Sequence, residues 1–328
     1  MNKNEKYCFI AFGELALDIV YNEDGIIRES GGVSAFNTLY NLGILGEETY
    51  AICGTGNDLN GIKTINSLKE GTVNTKYIQI LDKPTNVFYI FKPKEVQTDE
   101  DVEIGRTSPI TGKSTIEWSD KINTDFPKEF ENRNLILIVS NFEPVTDRFI
   151  KNTKHKNKNA KVSLDITNGK IFEKYSKEYL LEYLKQFDFV QCNINTGKII
   201  CEKLGFSSFE ELYSSLNAEI FTVTEKERGA TFYYKDKDDK KTVYKPKKIA
   251  KLVDPTGAGD AFHSILLMSY CRMKYLGNRI DKKYFDRAFN IANMFARKIV
   301  GIEGARGKQE EVLDYMISEM ENDDEIEK

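Results

Sequence analysis

The sequence predicts an α/β protein: a doubly wound, mostly parallel sheet flanked by helices, with a small second sheet. Strand-like runs such as YCFIAFG and TYAICGT alternate with helix-like runs such as GVSAFNTLYNLGIL, which is typical of successive βαβ units. Two segments, about 14–32 and 85–117, break this alternation because they are extended, rich in Val, Ile, Phe, Tyr and Thr, and contain no helix. Such segments indicate a small separate sheet.

The remaining elements follow in chain order. TYAICGT precedes the helix LNGIKTINSLKEG, and the middle of the chain supplies the strands LILIVSN, KVSLDI and DFVQCNI, each followed by a helical stretch. These strands are short apolar runs of the kind that is buried in a parallel sheet. The last third supplies the strand EIFTVTE, a hairpin over ATFYYKDKDDKKTVYKP, and two helices over residues 258–276 and 284–300. We expect one α/β domain over residues 1–328.

The composition excludes several classes of protein. Hydrophobic residues make up 40% and charged residues 30% of the chain, as in soluble globular proteins. The net charge of −4, with both signs mixed along the chain, argues against a nucleic-acid-binding protein. No apolar run reaches the roughly 18–20 residues of a membrane span, and the first residues lack the cleavage signature of a secretory signal.

The cysteines indicate a cellular compartment. Five scattered cysteines and only two histidines predict free thiols and exclude a structural zinc site, which needs clustered ligands. Free thiols are typical of a reducing cytoplasm. We therefore expect a cytoplasmic protein that has neither nucleic acid nor a membrane as a partner.

The stretch LVDPTGAGDAFHSILLMSY carries the candidate chemistry. Gly257, Ala258 and Gly259 leave successive backbone amides unshielded, and the apolar run from Phe262 predicts a helix that starts there. The N-terminus of such a helix is an anion site, because its first N–H groups lack partners and the helix dipole is positive there. Taken alone, the motif is equally compatible with glycines that only make a turn and with Asp260 as a helix cap.

The longer segment DPTGAGDAF, with Asp254 six residues before Asp260, resembles a specific signature of the ribokinase/PfkB carbohydrate kinase family. Other segments resemble the same family, in the same order along nearly the whole chain: GELALDIV, GGVSAFNTLYNLGILG, GTGNDLNG, FDFVQCNI and FTVTEKERGATFYY. The resemblance implies a ribokinase-like fold in which the segments 14–32 and 85–117 form a lid.

The resemblance implies transfer of the γ-phosphoryl group of ATP to a sugar hydroxyl group. Asp260 would be the base that accepts the hydroxyl proton, and the amides of Ala258 and Gly259, with Gly257 close by, would form the anion hole. The implied sugar-binding residues are Asp18, Gly31, Gly32 and Asn37. Short Asp and Asn side chains suit the hydroxyl groups of a sugar, although Asn37 is also compatible with an ordinary polar position on a helix.

The implied nucleotide-binding residues are Asn193, Thr224, Lys226, Gly229, Gly257, Gly259 and Asn293. Two positions depart from the family pattern. Thr196 replaces the glutamate of Asn-x-x-Glu, which helps to organise magnesium-bound waters, and Lys226 replaces a glycine near the phosphates. Either Lys226 or Arg228 compensates by reaching a phosphate, or these changes mark weakened nucleotide binding. Asn293 is alternatively an exposed polar residue of its helix.

The expected cofactors are ATP and Mg²⁺. Asp254 and Thr256 also fall where many family members hold a monovalent cation, so the resemblance leaves activation by potassium open. Asp165 and Asn168 lie near the substrate side of the sheet in the family, here in a shifted register. His263 is expected to be a packed or half-exposed residue and not part of a proton relay.

The main hypothesis is a fructokinase-like sugar kinase whose partners are a small-molecule sugar and MgATP. A nucleoside kinase of the same fold is the second hypothesis, which an aromatic stacking residue among Tyr21, Phe88 and Tyr89 would favour. A catalytically weakened relative that binds sugar as a sensor is the third: the intact GAGD opposes it and the missing glutamate favours it. A homodimer through the lid would pair exposed strand residues, Val87, Tyr89 and Phe91, with a partner face.

Overall fold

The computed structural model describes residues 6–94, 103–112, 114, 119–140, 142–167, 169–235, 240–245, 252–277, 280–302, 304 and 306–314. Asn168 and parts of the segment 85–117 lie outside the described residues. The strands are β1 Cys8–Glu14, β2 Ala16–Asn22, β3 Gly25–Gly32, β4 Glu48–Gly56, β5 Asn74–Leu81, β6 Asn86–Phe91, β7 Glu103–Gly105, β8 Leu135–Val139, β9 Lys161–Ile166, β10 Phe189–Asn193, β11 Ile220–Thr224, β12 Ala230–Tyr234 and β13 Lys240–Tyr244. The helices are α1 Ser34–Ile44, α2 Leu59–Glu70, α3 Pro144–Lys156, α4 Lys177–Leu184, α5 Ile194–Leu204, α6 Phe209–Ser215, α7 Ala258–Tyr275 and α8 Lys282–Val300.

Nine strands form the main sheet, in the order β13-β12-β11-β10-β9-β8-β1-β4-β5. The β4–β5, β8–β9, β9–β10 and β10–β11 pairs are parallel, whereas β12 and β13 continue the sheet as an antiparallel hairpin. All residues of β8, with the sequence LILIV, are buried, as expected for a parallel strand covered on both faces. The predicted mostly parallel sheet, with helices between its strands, is confirmed.

Four strands form a smaller sheet, in the order β3-β2-β6-β7. They come from the segments 14–32 and 85–117, so the predicted second sheet is confirmed, while its action as a lid stays a prediction. β2 and β6 pair in parallel, and Asp18 is the register partner of Phe88. Because strand side chains alternate between faces, Asp18, Phe88 and Ile90 lie on one face of this sheet.

The smaller sheet differs from the prediction in the side chains that it exposes. Val87 is buried and Tyr89 and Phe91 are partly buried, so the expected exposed row on β6 is wrong. Part of this face is covered because the rings of Tyr21 and Phe91 pack with their centroids 5.5 Å apart. Exposed apolar side chains of this sheet are Ile26, Ile27 and Ile104. A homodimer through the sheet stays a prediction.

The chain divides into two compact units. The first comprises Met1–Cys8, Thr124–Lys248 and Leu266–Asn290, and the second comprises Phe9–Asn123, Ile249–Ile265 and Ile291–Lys328. The second unit contains the smaller sheet, α1, α2 and the first residues of α7. The expectation of one domain over residues 1–328 stays a prediction. Among the described residues, no helix is long and apolar enough to cross a membrane.

A charged cluster in the first unit joins β9 to the residues before β10 and β11. Lys161 Nζ lies 2.5 Å from Glu219 Oε1 and 3.1 Å from Asp188 Oδ1, and the Tyr270 hydroxyl donates to Glu219 Oε2 over 2.8 Å. Burial opposes the charged form of Glu219, but Lys161 and Tyr270 outweigh burial and hold the pKa of this carboxyl below its usual value. The cluster therefore stabilises the fold at neutral pH, and this contribution is lost as the pH falls through the lowered pKa.

We expect Lys161→Met to lower the free energy of unfolding at neutral pH by about 1–3 kcal/mol, because the partly buried Glu219 loses its ion-pair partner and Asp188 is left with the ammonium group of Lys154, 3.7 Å away. The loss should shrink in acid, where the carboxyl groups are protonated in both proteins. Urea unfolding across the acidic and neutral pH range measures both effects. Lys185→Met removes only the exposed pair with Glu182 and serves as the control, with an expected change within about 0.5 kcal/mol.

Candidate active site

The start of α7 has the geometry that the GAGD motif predicts. Gly257 adopts a φ of +82°, which favours glycine, and the helix begins at the next residue, Ala258. The Ala261 N–H donates to Gly257 O over 2.9 Å, so Gly257 closes the first helical turn. Gly259 is exposed and Asp260 is buried in this turn. The positive end of the helix dipole lies at this turn, where the Ala258 N–H donates to Pro255 O over 3.5 Å.

The Asp260 carboxylate is held by α1. The Ser34 hydroxyl donates to Asp260 Oδ1 over 2.6 Å, and Asn37 Nδ2 donates to Asp260 Oδ2 over 2.9 Å. Two donors from a neighbouring helix fix the orientation of this carboxylate, which a residue that only caps α7 does not require. The role of Asp260 as the base stays a prediction.

Asn37 is itself oriented by an arginine. Arg306 Nε donates to Asn37 Oδ1 over 2.9 Å, and Arg306 Nη1 donates to Ser67 Oγ over 2.8 Å. The guanidinium also lies 4.8 Å from the centroid of the Tyr40 ring. Because its amide oxygen faces Arg306, the amide nitrogen of Asn37 faces Asp260. Asn37 is buried, so it is not an ordinary polar residue on an exposed helix face.

Asp18 is a buried carboxyl on β2. Burial raises its pKa to about 6, although the guanidinium groups of Arg306 and Arg28 act in the opposite direction and Asp260 adds to the rise. Gly32 lies against this carboxyl group so closely that an added Cβ would collide with it. Gly31 instead packs against α2, where an added Cβ would lie 2.9 Å from the carbonyl oxygen of Thr64. The sugar-binding roles of these residues stay predictions.

One of the three candidate aromatic residues lies beside Asp18. Phe88 is its register partner on β6 and is partly exposed. The Arg106 guanidinium lies 4.7 Å from the centroid of the Phe88 ring. Tyr89 alternates with Phe88 on β6 and therefore points to the other face of the sheet.

Asp254 is buried and accepts two backbone hydrogen bonds. The Thr256 N–H donates to Asp254 Oδ1 over 2.9 Å, and the Gly304 N–H donates to Oδ2 over 3.0 Å. The ammonium group of Lys92 lies 3.9 Å from the same Oδ2. No group of three or more His, Cys, Asp or Glu side chains that could hold a metal ion occurs among the described residues.

The predicted nucleotide-binding residues of the first unit lie at the carboxyl ends of two parallel strands. Asn193 ends β10 and is the register partner of Thr224, which ends β11. Asn193 Oδ1 accepts the Thr196 N–H over 2.9 Å and thereby caps α5. Lys226 has a φ of +54°, the region that glycine favours, so the turn keeps a glycine-like backbone at the position where the family has glycine.

The remaining predicted residues are buried. Gly229 has a φ of +106°, and an added Cβ would collide with Tyr244 O of β13. Asn293, on α8 in the second unit, is 8% exposed, so the alternative of an exposed helical asparagine is wrong. Burial lowers the pKa of His263 to about 3, which keeps this histidine neutral. Asp165 is buried on β9, within reach of Gln191.

The sequence profile described as pfkB family carbohydrate kinase matches residues 11–311. The chain belongs to this family. The chain also shares 32% identity over 104 residues with the nucleoside kinase of Methanocaldococcus jannaschii, and the matching stretch covers 32% of each chain, about a third of that relative.

Solved structures share the fold of this chain. The nucleoside kinase of Methanocaldococcus jannaschii, described as an archaeal member of the ribokinase family, has a TM-score of 0.67 and 20% identity, and the match covers 95% of this chain and 98% of that chain. The fructokinase of Xylella fastidiosa with bound ATP has a TM-score of 0.75 and 16% identity, with 96% and 99% covered. The nucleoside kinase of Burkholderia thailandensis in complex with inosine has a TM-score of 0.70 and 16% identity, with 94% and 97% covered.

Three residues of the site are absent from the sequence-based predictions. Ser34 is separated from the Gly31–Gly32 pair by Val33, and its position at the start of α1 is the available signal. Arg306 lies 269 residues from its partner Asn37, and no local pattern marks it. Lys92 continues the alternation of Phe88 and Ile90, which places it on the Asp18 face of the smaller sheet.

We expect Asp18→Asn to raise the stability of this protein at alkaline pH. The folded pKa of about 6 exceeds the ordinary value of 3.8, so stability falls as the pH rises between these values. An uncharged amide removes this penalty, which corresponds to about 2–3 kcal/mol. Thermal unfolding should show a Tm gain of several degrees at about pH 8 that disappears below about pH 4.

Asp24→Asn is the matched control for this experiment, because Asp24 is exposed and pairs only at the surface with Lys94. Its Tm should follow that of the wild-type protein across the pH range. A less stable Asp18→Asn protein at alkaline pH would contradict the pKa assigned to Asp18.

Proposed function

We propose that this kinase transfers the γ-phosphoryl group of ATP to a hydroxyl group of a sugar, with Asp260 as the base. The observation that carries the proposal is the carboxylate of Asp260, buried in the first turn of α7 and held by Ser34 and Asn37. In the proposed step the sugar oxygen forms a bond to the γ-phosphorus and the bond between that phosphorus and the β,γ-bridging oxygen breaks. The hydroxyl proton passes to Asp260.

The first turn of α7 would stabilise the charge that develops on the transferred group. Gly257, Ala258 and Gly259 carry no bulky side chain, and the positive φ of Gly257 directs the chain into the helix. Backbone amides that are fixed before the reaction stabilise an anion without having to reorganise. The geometry of Gly257 thus supports the predicted anion hole.

The sugar would bind on the Asp18 face of the smaller sheet. The Asp18 carboxylate accepts hydrogen bonds from hydroxyl groups, and Gly32 leaves room for it. Arg306 Nη2 is shielded from water and makes no hydrogen bond among the described residues, so one donor remains for a substrate oxygen. Closure of the smaller sheet as a lid would exclude water, which competes with the sugar for the phosphoryl group.

A nucleoside is the second candidate acceptor, and the position of Phe88 favours it. A half-buried aromatic ring beside the proposed sugar-binding carboxylate is suited to stack on the base of a nucleoside whose ribose binds Asp18. The local sequence match to a nucleoside kinase supports the same candidate. A ring stacked on Phe88 would have to displace Arg106 or lie on the opposite face of Phe88 from it.

Mg²⁺ would enter with the nucleotide as MgATP. No described cluster of acidic side chains holds it, and Thr196 supplies no carboxylate. When bound, the ion neutralises charge on the phosphate oxygens. On this chain Asn193 and Thr224 would face the nucleotide from the ends of β10 and β11.

We expect Asp260→Asn to lower kcat by about 10²–10⁴-fold while the Kd of ATP, from calorimetry, stays within about threefold. The assay is a panel of sugars and nucleosides with MgATP. Asp82→Asn, at an exposed position of the second unit, is the matched control and should leave kcat unchanged. An Asp260→Asn protein with normal kcat would contradict the assignment of the base.

The same panel separates the candidate functions. Turnover of a free sugar supports the main proposal, and turnover of nucleosides alone supports the second candidate, in which case Phe88→Ala should raise KM by about 10-fold or more through lost stacking. Sugar binding without turnover of any compound identifies a sensor and overturns both proposals.

We expect Lys226→Gly to raise the KM of ATP without loss of stability. Glycine adopts the observed φ of +54° without the cost of about 1 kcal/mol that a side chain incurs there. If the Lys226 ammonium contacts a phosphate, its removal should raise KM about 5–50-fold. Glu227→Gly, in the same exposed turn, is the control. An unchanged KM for Lys226→Gly would show that Lys226 does not compensate for the missing glutamate.

A further inference from the structure

A buried ion pair lies beside the proposed anion hole. Lys92 Nζ is 3.9 Å from Asp254 Oδ2, and the two side chains are only 6% and 3% exposed. Lys92 follows β6, where its N–H donates to Tyr21 O over 2.9 Å and fixes the start of the side chain. Both residues belong to the second unit.

The carboxylate of Asp254 connects two loops. It accepts the N–H of Thr256, in the loop that leads into α7, and the N–H of Gly304, in the loop after α8. A buried carboxylate needs a compensating positive charge in addition to its hydrogen bonds. Lys92 supplies one.

The described residues at Asp254 do not fit an additional monovalent cation. Each oxygen of the carboxylate already accepts a backbone hydrogen bond, and Oδ2 also faces the ammonium group. A potassium ion bound to the same carboxylate would be repelled by that ammonium group. The ion and Lys92 would therefore compete for one carboxylate.

We infer that the Lys92 ammonium group takes the place of the monovalent cation, so that this kinase does not depend on potassium. The inference builds on the proposed function, because Lys92 would act through Asp254 on the loop that carries Gly257. Lys92 is thus a positioning residue: a covalently tethered cation holds the loops at Thr256 and Gly304 in place.

Potassium dependence of the wild-type protein is the first test. Rates measured in potassium chloride and in tetramethylammonium chloride at equal ionic strength should agree within about twofold, and the Tm should be the same in the two salts. Activation by potassium of tenfold or more, or a Tm that rises with potassium and not with tetramethylammonium, would overturn the inference.

Lys92→Ala is the second test, because it removes the cation and leaves space for a free one. In tetramethylammonium chloride this variant should lose at least about tenfold in kcat and several degrees in Tm. Potassium or ethylammonium should restore part of both, since an ion that binds only the folded state stabilises it by mass action. Lys92→Met keeps an apolar stem that fills the space, so it should lose activity that neither potassium nor ethylammonium restores. This variant replaces Lys92→Ala in the test if Lys92→Ala does not fold.

Lys94→Met is the matched control. It removes an ammonium group two positions along the same segment, from an exposed pair with Asp24, and its rate and Tm should be insensitive to the choice of salt. The Tm measurements need no substrate, so they test the role of Lys92 even if no sugar or nucleoside proves to be phosphorylated. A Lys92→Ala protein that is as stable and active as the wild type in tetramethylammonium would refute the inference.

Discussion

The candidate site depends on how the charges of its buried carboxylates are compensated. Asp18, Asp254 and Asp260 are all buried in the second unit, and a carboxylate removed from water must find donors or cations to remain in the fold. Asp260 is satisfied by two neutral donors of α1, and Asp254 by two backbone amides and one ammonium group. Burial raises the pKa of Asp18 to about 6, because the guanidinium groups of Arg306 and Arg28 offset this effect only in part. A carboxylate in this state gains from the hydroxyl groups of a ligand.

The sequence was sufficient for most of the fold because the signals that matter are local. A run such as LILIV is typical of a strand that is buried in a parallel sheet, and all residues of β8 are buried. The two extended segments without helices pair with each other in the smaller sheet. The predicted exposure of Val87 is wrong because exposure depends on contacts between distant segments and not on a local pattern. Alternation along β6 says which residues share a face, but which face is covered depends on what packs against it, and the ring of Tyr21 is part of that cover.

The residues of the candidate site also fall into two groups: some follow from a local sequence pattern, and others are identified only by contacts between distant parts of the chain. Asp260 and Gly257 were predictable because a helix start is encoded by adjacent residues. Ser34 reaches Asp260 across 226 positions of the chain, and Arg306 reaches Asn37 across a still longer separation, so no window of sequence contains both partners. A resemblance to a family indicates the residues that the family shares, but it does not indicate the side chains that orient those residues.

Lys226 and the Lys92–Asp254 pair weigh against loss of function, whereas Thr196 in place of a glutamate favours it. At position 226 a lysine has replaced glycine, yet the backbone remains in the left-handed region at a cost in strain, so the shape of the turn is retained while a positive charge is added. At Asp254 the charge compensation is retained, with an ammonium group where the resemblance places an ion. A protein that only bound sugar would have no use for a strained lysine where the phosphates are expected or for a rigid loop before Gly257. Both features are explained if the phosphates of a nucleotide must still be bound and aligned, which is the requirement of a working kinase.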